Sequence, residues 1–222
     1  MQKKHLALTV VLLFLSTLAF ASPSKGWIGG VFGYQYTDTD FEFDLAGTTA
    51  SQRIKEQSFV GGIEGACFFG KQRKYGLGYE VGFLIPQEMT NADGEDLLDD
   101  ASSFGMVAAA YFTYRPSLSD KLSLDLGLGE FFHFTYVSSQ ESDDTYYALQ
   151  NFGLSGKIGL LLQANPHLAL RFGVRADLAI LSFLDYQIDL GSLGMGSFSD
   201  TKICDLRHGF ALAPFVGCAY SF

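Results

Sequence analysis

Six charged residues are the positions of this sequence best able to do chemistry, because each stands alone among small and apolar neighbours. Three are acids and three are bases: Glu64, Glu80, Asp125, Lys157, Arg171 and Arg175. They share alternate positions with glycine, alanine and serine, while the positions between carry large apolar side chains. Charges that turn into a narrow interior must pair with one another or keep water. We therefore predict a salt-bridged polar network, which is either a static plug or a gate whose pairs exchange to pass small solutes.

The same alternation predicts the elements that position these charges, since a period of two residues indicates a β-strand. In the clearest stretch, 75–85, large apolar residues alternate with glycine, glutamate and leucine. Eight such stretches are predicted, at about 25–38, 56–69, 75–85, 104–114, 122–134, 152–162, 168–180 and 207–222. Long connections follow the first, third, fifth and seventh, and short turns follow the others. This order predicts an all-β, eight-stranded antiparallel up-and-down barrel with both ends on one side.

Side-chain volume decides which face of this barrel points outward. The interior of an eight-stranded barrel is only just filled by side chains. The apolar faces supply about five or six large residues per strand, too many for that space, whereas the small-residue faces fit it. A soluble, lipocalin-like barrel would also alternate, but so large an apolar belt would aggregate in water. We therefore predict a transmembrane β-barrel whose bulky face contacts lipid.

The final stretch, 207–222, alternates to the end of the chain and carries the aromatic residues Tyr220 and Phe222. This ending resembles the closing strand of bacterial outer-membrane β-barrels, and the architecture is similar to that of the small OmpA/OmpX/OmpW-like group. The charged interior resembles the polar interiors of OmpA and OmpX more than the apolar channel associated with OmpW. The resemblance implies that Tyr220 and Phe222 form an assembly signal read by the barrel assembly machinery.

The first residues have the composition of a secretory signal peptide. Lys3 and Lys4 precede an apolar run, and Ala19 and Ala21 form a small-x-small cleavage site. The alternative is an uncleaved helical anchor, but the run is short for a membrane helix. We predict a cleaved signal at 1–21 and a barrel domain at 22–222. If the mature chain starts in the periplasm, both termini lie there and the long loops are extracellular.

Four residues need a separate account. Cys67 and Cys218 should face lipid about two strand spacings apart, too far for a disulfide, and we expect free thiols. Glu130 falls on the lipid face, and counting from the start of its strand places it at the outer interface, where its cost is small. Pro214 lacks the N–H that a closed barrel needs, so we expect a β-bulge there.

Other chemistry is weakly supported. His133 and Thr135 resemble the His-x-Ser pair of outer-membrane lipid deacylases, but threonine replaces serine and both residues should face inward. The remaining histidines form no metal-ligand cluster, and no basic stripe suits nucleic acid. We therefore predict a protein that is not an enzyme, with no cofactor, no metal and no nucleic-acid partner.

The loops are acidic, in keeping with the formal net charge of −9. Such loops keep a surface soluble, and they could also bridge to lipid head groups through divalent cations or bind a basic partner. We predict a monomer in contact with outer-membrane lipids, whose loops mediate adhesion or envelope integrity through a host or extracellular ligand. The alternative is a narrow porin-like channel for small or hydrophobic solutes.

Overall fold

The computed structural model describes residues 26–45, 48–70, 72–99, 101–139, 145–188 and 198–222. The predicted signal peptide, with Ala19 and Ala21, lies outside these residues, as do parts of the loops at 140–144 and 189–197. Within the described ranges, no helix is long and apolar enough to cross a membrane.

Eight antiparallel strands form one closed barrel in the part of the chain that the structure describes. Their bounds are β1 Gly26–Leu45, β2 Thr48–Phe69, β3 Tyr75–Thr90, β4 Ala101–Tyr114, β5 Leu122–Ser139, β6 Tyr146–Gln163, β7 Leu168–Ile188 and β8 Phe198–Ser221. Each strand pairs with the next along the chain, and β8 pairs with β1. The predicted all-β, eight-stranded, up-and-down barrel is confirmed.

The strands are staggered, which sets their tilt and the width of the lumen. The circuit of paired residues that starts at Ile28 returns to β1 at Asp38, a shift of ten residues. Its other members are Gly65, Tyr79, Ala110, Glu130, Leu154, Leu178 and Phe210. A stagger of this kind requires tilted strands, and with eight of them the interior has room only for side chains. We call the end that holds Gly26 and Phe222 the terminal end, and the opposite end the loop end.

Large apolar side chains cover the outer wall, and small or ionised ones fill the lumen. Phe83 and Leu128 are each 67 % exposed, whereas the inward Ala109 and Val107 are fully buried. The outward set runs around the whole barrel, from Ile28 and Phe32 on β1 to Leu212 and Val216 on β8. This arrangement agrees with the prediction from side-chain volume, because a wall of exposed apolar side chains suits lipid rather than water.

The strands are longer than predicted at the loop end. The predicted loop at about 40–55 is mostly a β-hairpin, because β1 continues to Leu45 and β2 begins at Thr48. Likewise β7 extends to Ile188 and β8 begins at Phe198, both within the connection predicted between the strands at 168–180 and 207–222. The prediction of strand ends was wrong here because it followed the lipid-facing apolar pattern. Past that pattern polar residues face water outside, while inward residues such as Phe41 and Ile54 still pack in the lumen.

Pro214 interrupts the barrel wall without a bulge, contrary to the prediction. Pairing between β1 and β8 stops after Gly33 and resumes at Tyr36 in the same register. On its other side Pro214 pairs in register with Val174 of β7. The missing N–H therefore opens a local gap in the ladder rather than inserting an extra residue.

Glu130 faces outward, level with its neighbours Ala110 and Leu154. Farther toward the loop end, three aromatic residues of β5 lie on the same outward face as Glu130: Phe132, Phe134 and Tyr136. Glu130 therefore lies below the upper edge of the apolar wall, not at the interface as predicted, because that wall continues past it.

All three cysteines are free thiols, with Cys67 and Cys218 on strands that flank β1 and Cys204 buried in the lumen.

Candidate functional site

The six charged residues identified in the sequence meet in the terminal-end half of the lumen. Lys157 of β6 donates to Glu64 of β2 and, at 2.5 Å, to Glu80 of β3. Arg171 of β7 donates to Glu64 and, at 3.0 Å, to Asp125 of β5. Arg175 lies four residues after Arg171 on the same face of β7, and it donates to Glu80. Three cations thus link three acids from different strands into one continuous chain of ion pairs.

Two further charges complete this network, Arg115 and Asp177, and the sequence analysis did not assign them to it. Arg115 donates to both carboxylate oxygens of Asp125, at 2.8 Å for Oδ2. Asp177 accepts from Arg175 Nε at 2.9 Å and from Ser155 Oγ at 2.5 Å. Both continue the inward alternation of β4 and β7, which is the signal that could have found them. Arg115 was missed because it follows the last residue of β4 and precedes a turn.

The resulting ion-pair network contains four acids and four bases: Glu64, Glu80, Asp125, Asp177, Arg115, Lys157, Arg171 and Arg175. All except Arg115 are buried, and Arg175 is only 1 % exposed. Opposite charges are equal in number, and each of the eight side chains has an oppositely charged partner. This pairing offsets the cost of removing the charges from water. The lumen at this level is filled by paired side chains.

Aromatic rings close the network toward the terminal end. The guanidinium of Arg171 lies 3.9 Å from the ring centre of Trp27, and that of Arg115 lies 4.2 Å from the ring centre of Phe68. Lys157 Nζ lies 4.4 Å from the ring of Phe215. Cations over aromatic faces are attracted by the ring quadrupole, most strongly where water is excluded. The rings of Trp27 and Phe68 therefore form a floor beneath the network, and all three rings help to hold its cations.

A second polar cluster lies above the network and contains the His133–Thr135 pair noted in the sequence. Thr135 Oγ1 donates to Glu56 Oε2 at 2.8 Å, and Ser58 Oγ donates to Glu56 Oε1 at 2.5 Å. His133 Nε2 lies 3.1 Å from Thr135 Oγ1. His133 and Thr135 are thus both buried in the lumen and belong to one hydrogen-bonded cluster with Glu56.

An apolar cap fills the lumen at the loop end. It consists of Phe41, Ile54, Met89, Val137, Leu149, Leu184, Tyr186 and Cys204. Leu97 and Leu98, from the connection between β3 and β4, pack against it from above. Leu97 is held there by a backbone hydrogen bond to Met89, at 2.7 Å. The lumen therefore contains, from one end to the other, an aromatic floor, ion pairs, a polar cluster around Glu56 and an apolar cap.

Ion pairs also occur on the outer wall above the apolar belt. Asp38 lies past the contact between the rings of Tyr36 and Phe210. It accepts two hydrogen bonds from Arg53, at 2.9 and 2.6 Å. This bidentate bond favours the ionised carboxylate and holds the pKa of Asp38 below its usual 3.8. His208 Nε2, 3.5 Å away, acts in the same direction on the pKa when it is protonated.

The aromatic residues at the end of β8 lie on the outer wall. Phe222 pairs with Gly26 through two backbone hydrogen bonds, at 3.0 and 3.2 Å, and its ring is exposed. The Tyr220 ring stacks on His167 at a centroid distance of 5.6 Å. Within the described residues, no group of three or more histidine, cysteine or acidic side chains could hold a metal ion.

The closed antiparallel barrel, its apolar outer wall and its charged lumen define the fold of small eight-stranded outer-membrane β-barrel proteins. Several solved structures are similar over nearly their whole length. OprG from Pseudomonas aeruginosa matches with a TM-score of 0.59 and 16 % identity over 90 % of this chain and 96 % of that one. Neisserial surface protein A matches with a TM-score of 0.55 and 10 % identity over 89 % and 97 %.

A major outer membrane protein from Thermus thermophilus matches with a TM-score of 0.52 and 13 % identity, covering 89 % of this chain and 99 % of that chain. At these identities the likeness concerns the fold alone. No protein-family model and no curated protein sequence matches the chain.

Proposed function

We propose that this protein is a sealed, non-enzymatic outer-membrane barrel that acts at the cell surface through its loop-end hairpins. In this proposal the termini are periplasmic and the loop end is extracellular. Outer-membrane lipids surround the wall of a monomer, and a host or extracellular ligand contacts the hairpins in adhesion or in maintaining the envelope. The filling of the lumen is the observation that carries the proposal, since a conduit needs a continuous path.

The four layers in the lumen leave little room for solute. Passage would require breaking buried ion pairs such as Arg175 with Glu80, and also displacing the apolar cap that Leu97 and Leu98 cover. Breaking a buried pair is costly because it leaves a charge without compensation. The static plug is therefore favoured over the gate.

The hairpin of β1 and β2 is the best-formed contact surface at the loop end. Its strands remain paired as far as Leu45 and Thr48, whereas the pairing of β2 with β3 begins only at Lys55. The edge of β2 at 48–54 thus has no strand partner on that side among the strands that the structure describes. A free strand edge offers backbone donors and acceptors to a partner chain. Acidic side chains occupy alternate positions along this part of β1: Asp38, Asp40, Glu42 and Asp44.

Conductance in planar lipid bilayers tests the sealed lumen. We expect no stable openings from the wild-type protein or from Glu64→Gln. Openings in the wild type that change when Glu64 is neutralised would contradict the proposal and support the narrow channel.

The surface role is tested by shortening the hairpin while keeping Phe41 and Ile54, its two members of the apolar cap. Replacing residues 43–50 by Asn-Gly joins Glu42 to Ser51, which are paired neighbours, through a two-residue turn. We expect cells that display this variant to lose attachment to cultured epithelial cells or to gain sensitivity to detergent. Thr49→Ser keeps the hairpin length and should behave as the wild type does. A shortened variant that is unchanged in both assays would overturn the surface role.

A further inference from the structure

A small cavity remains in the lumen between the aromatic floor and the ion pairs. Its volume is about 20 Å³, and the polar residues around it include Trp27, Glu64, Thr113, Asp125, Lys157 and Arg171. Glycine on two strands creates the space. A Cβ added at Gly78 would lie 3.3 Å from Thr113 Oγ1, and one added at Gly127 would lie 3.2 Å from the Tyr111 ring. A cavity of this size holds about one water molecule.

Three side chains that line this cavity carry a buried polar atom without a hydrogen-bond partner among the described residues. These atoms are Trp27 Nε1, Thr113 Oγ1 and Arg171 Nε. The residues are buried, at 4 %, 8 % and 2 % exposure. The terminal nitrogens of Arg171 are bonded to Glu64 and Asp125, so Nε is its one nitrogen left over. Buried polar groups in native proteins are nearly always satisfied, and three such groups around one cavity indicate a ligand.

The chemistry of the lining selects the kind of ligand. The indole and Arg171 Nε can only donate, so the ligand must accept hydrogen bonds. The carboxylates of Glu64 and Asp125 line the same space, and the surrounding network already balances four acids with four bases. An anion would add an uncompensated negative charge beside these carboxylates, which burial makes unfavourable. A neutral molecule that accepts and also donates fits the lining better.

We propose that this cavity is a binding site for one ordered water molecule. Its oxygen accepts from Trp27 and Arg171, and its hydrogens bond to the hydroxyl of Thr113 or to a neighbouring carboxylate. These three residues belong to β1, β7 and β4, none of which is adjacent to another in the barrel. One water thus connects three separated strands across the lumen and fixes the aromatic floor beneath the ion pairs.

Trp27 is the only tryptophan in the sequence, so its indole N–H gives a single, assignable NMR signal. In the full-length protein folded in lipid nanodiscs, we expect cross-relaxation between this N–H and a water molecule of long residence. Thr113→Val keeps the shape but removes the hydroxyl, and should weaken the cross-peak severalfold. Thr113→Ser keeps the hydroxyl, so the cross-peak should keep its wild-type strength. Gly78→Ala narrows the cavity and should also weaken the cross-peak, while heat-modifiable gel mobility shows that each variant is folded.

Two results would overturn the proposal. One is an indole N–H in the wild type without cross-relaxation to bound water, or with a cross-peak that Thr113→Val and Gly78→Ala leave unchanged. The other is saturable quenching of Trp27 fluorescence by bromide, competed by chloride, which would identify an anion site instead.

Discussion

Arg175 is the most deeply buried cation of the ion-pair network, at 1 % exposure, and it contacts acids from two strands. It donates to Glu80 of β3 and to Asp177 on its own strand, and also to Gln35 of β1. Removing one partner from a buried ion pair leaves the other charge in a medium of low polarity. The energetic importance of Arg175 therefore comes from the acids it would leave behind.

We expect Arg175→Met to lower the free energy of unfolding by about 3–5 kcal/mol. Urea unfolding in lipid vesicles measures this change. Arg207→Met is the matched control, since Arg207 pairs with Glu42 on the outer wall with a side chain that is 54 % exposed. It should cost no more than about 1 kcal/mol. Equal effects of the two substitutions would contradict a buried, tightly paired network.

Asp38 and Arg53 predict a pH dependence outside the membrane-spanning wall. The pKa of Asp38 in the folded protein lies below 3.8 because Arg53 donates two hydrogen bonds to it. The pair therefore stabilises the folded state at neutral pH, and this contribution is lost as the pH falls through the folded-state pKa. We expect Asp38→Asn to be less stable than the wild type at neutral pH and equally stable in acid. A stability difference that grows on acidification would have the wrong sign.

At the scale of the strand, β8 shows how a barrel tolerates a missing backbone donor. Pro214 keeps its register with β7, and the cost is confined to Tyr34 and Gln35 of β1, which lack pairing with β8 but remain paired with β2. Because the register is the same before and after the gap, the barrel closes as it would with any other residue at this position.

We expect Pro214→Ala to restore the pairing of β8 with β1, since alanine supplies the N–H that proline lacks. Hydrogen exchange of the backbone amides near Gln35 and Ala213 should slow, while amides in the middle of β4 and β5 remain unchanged. Exchange near Gln35 that stays as fast as in the wild type would show that proline is not the cause of the gap.

The whole molecule depends on closure between its first and last strands. Phe222 contributes backbone hydrogen bonds to Gly26, which any residue could supply, and an exposed ring that packs no core. A role of this ring in recognition by the barrel assembly machinery would therefore be separable from a role in stability.

We expect Phe222→Ala to fold in detergent with the heat-modifiable gel mobility of the wild type. In cells we expect the variant to accumulate several-fold less in the outer membrane, because the proposed assembly signal is lost. Leu212→Ala, which truncates another exposed lipid-facing residue of β8, should assemble normally. If Phe222→Ala assembles as well as this control, the proposed signal is wrong.

Much of the barrel could be read from local patterns. The alternation in stretches such as 75–85 determines both the strand and its two faces, because successive side chains of a strand must point to opposite sides. Side-chain volume then assigned the large residues to lipid. A lumen this narrow could not hold Phe83 and Leu128 together with the other large apolar residues on the same faces of the eight strands. The six lumen charges followed from the same alternation, because each lies on a small-residue face.

The stagger between strands was decided only by the tertiary structure. It brings Lys157 between Glu64 and Glu80, and it places Glu130 below the upper edge of the apolar wall. It also brings Trp27, Thr113 and Arg171 around one cavity. Alternation gives the face of each residue but not its height against the neighbouring strand, because that height depends on hydrogen bonds between distant segments. The local sequence therefore determines which face of its strand a residue occupies, whereas the closed barrel determines which residues of other strands it contacts.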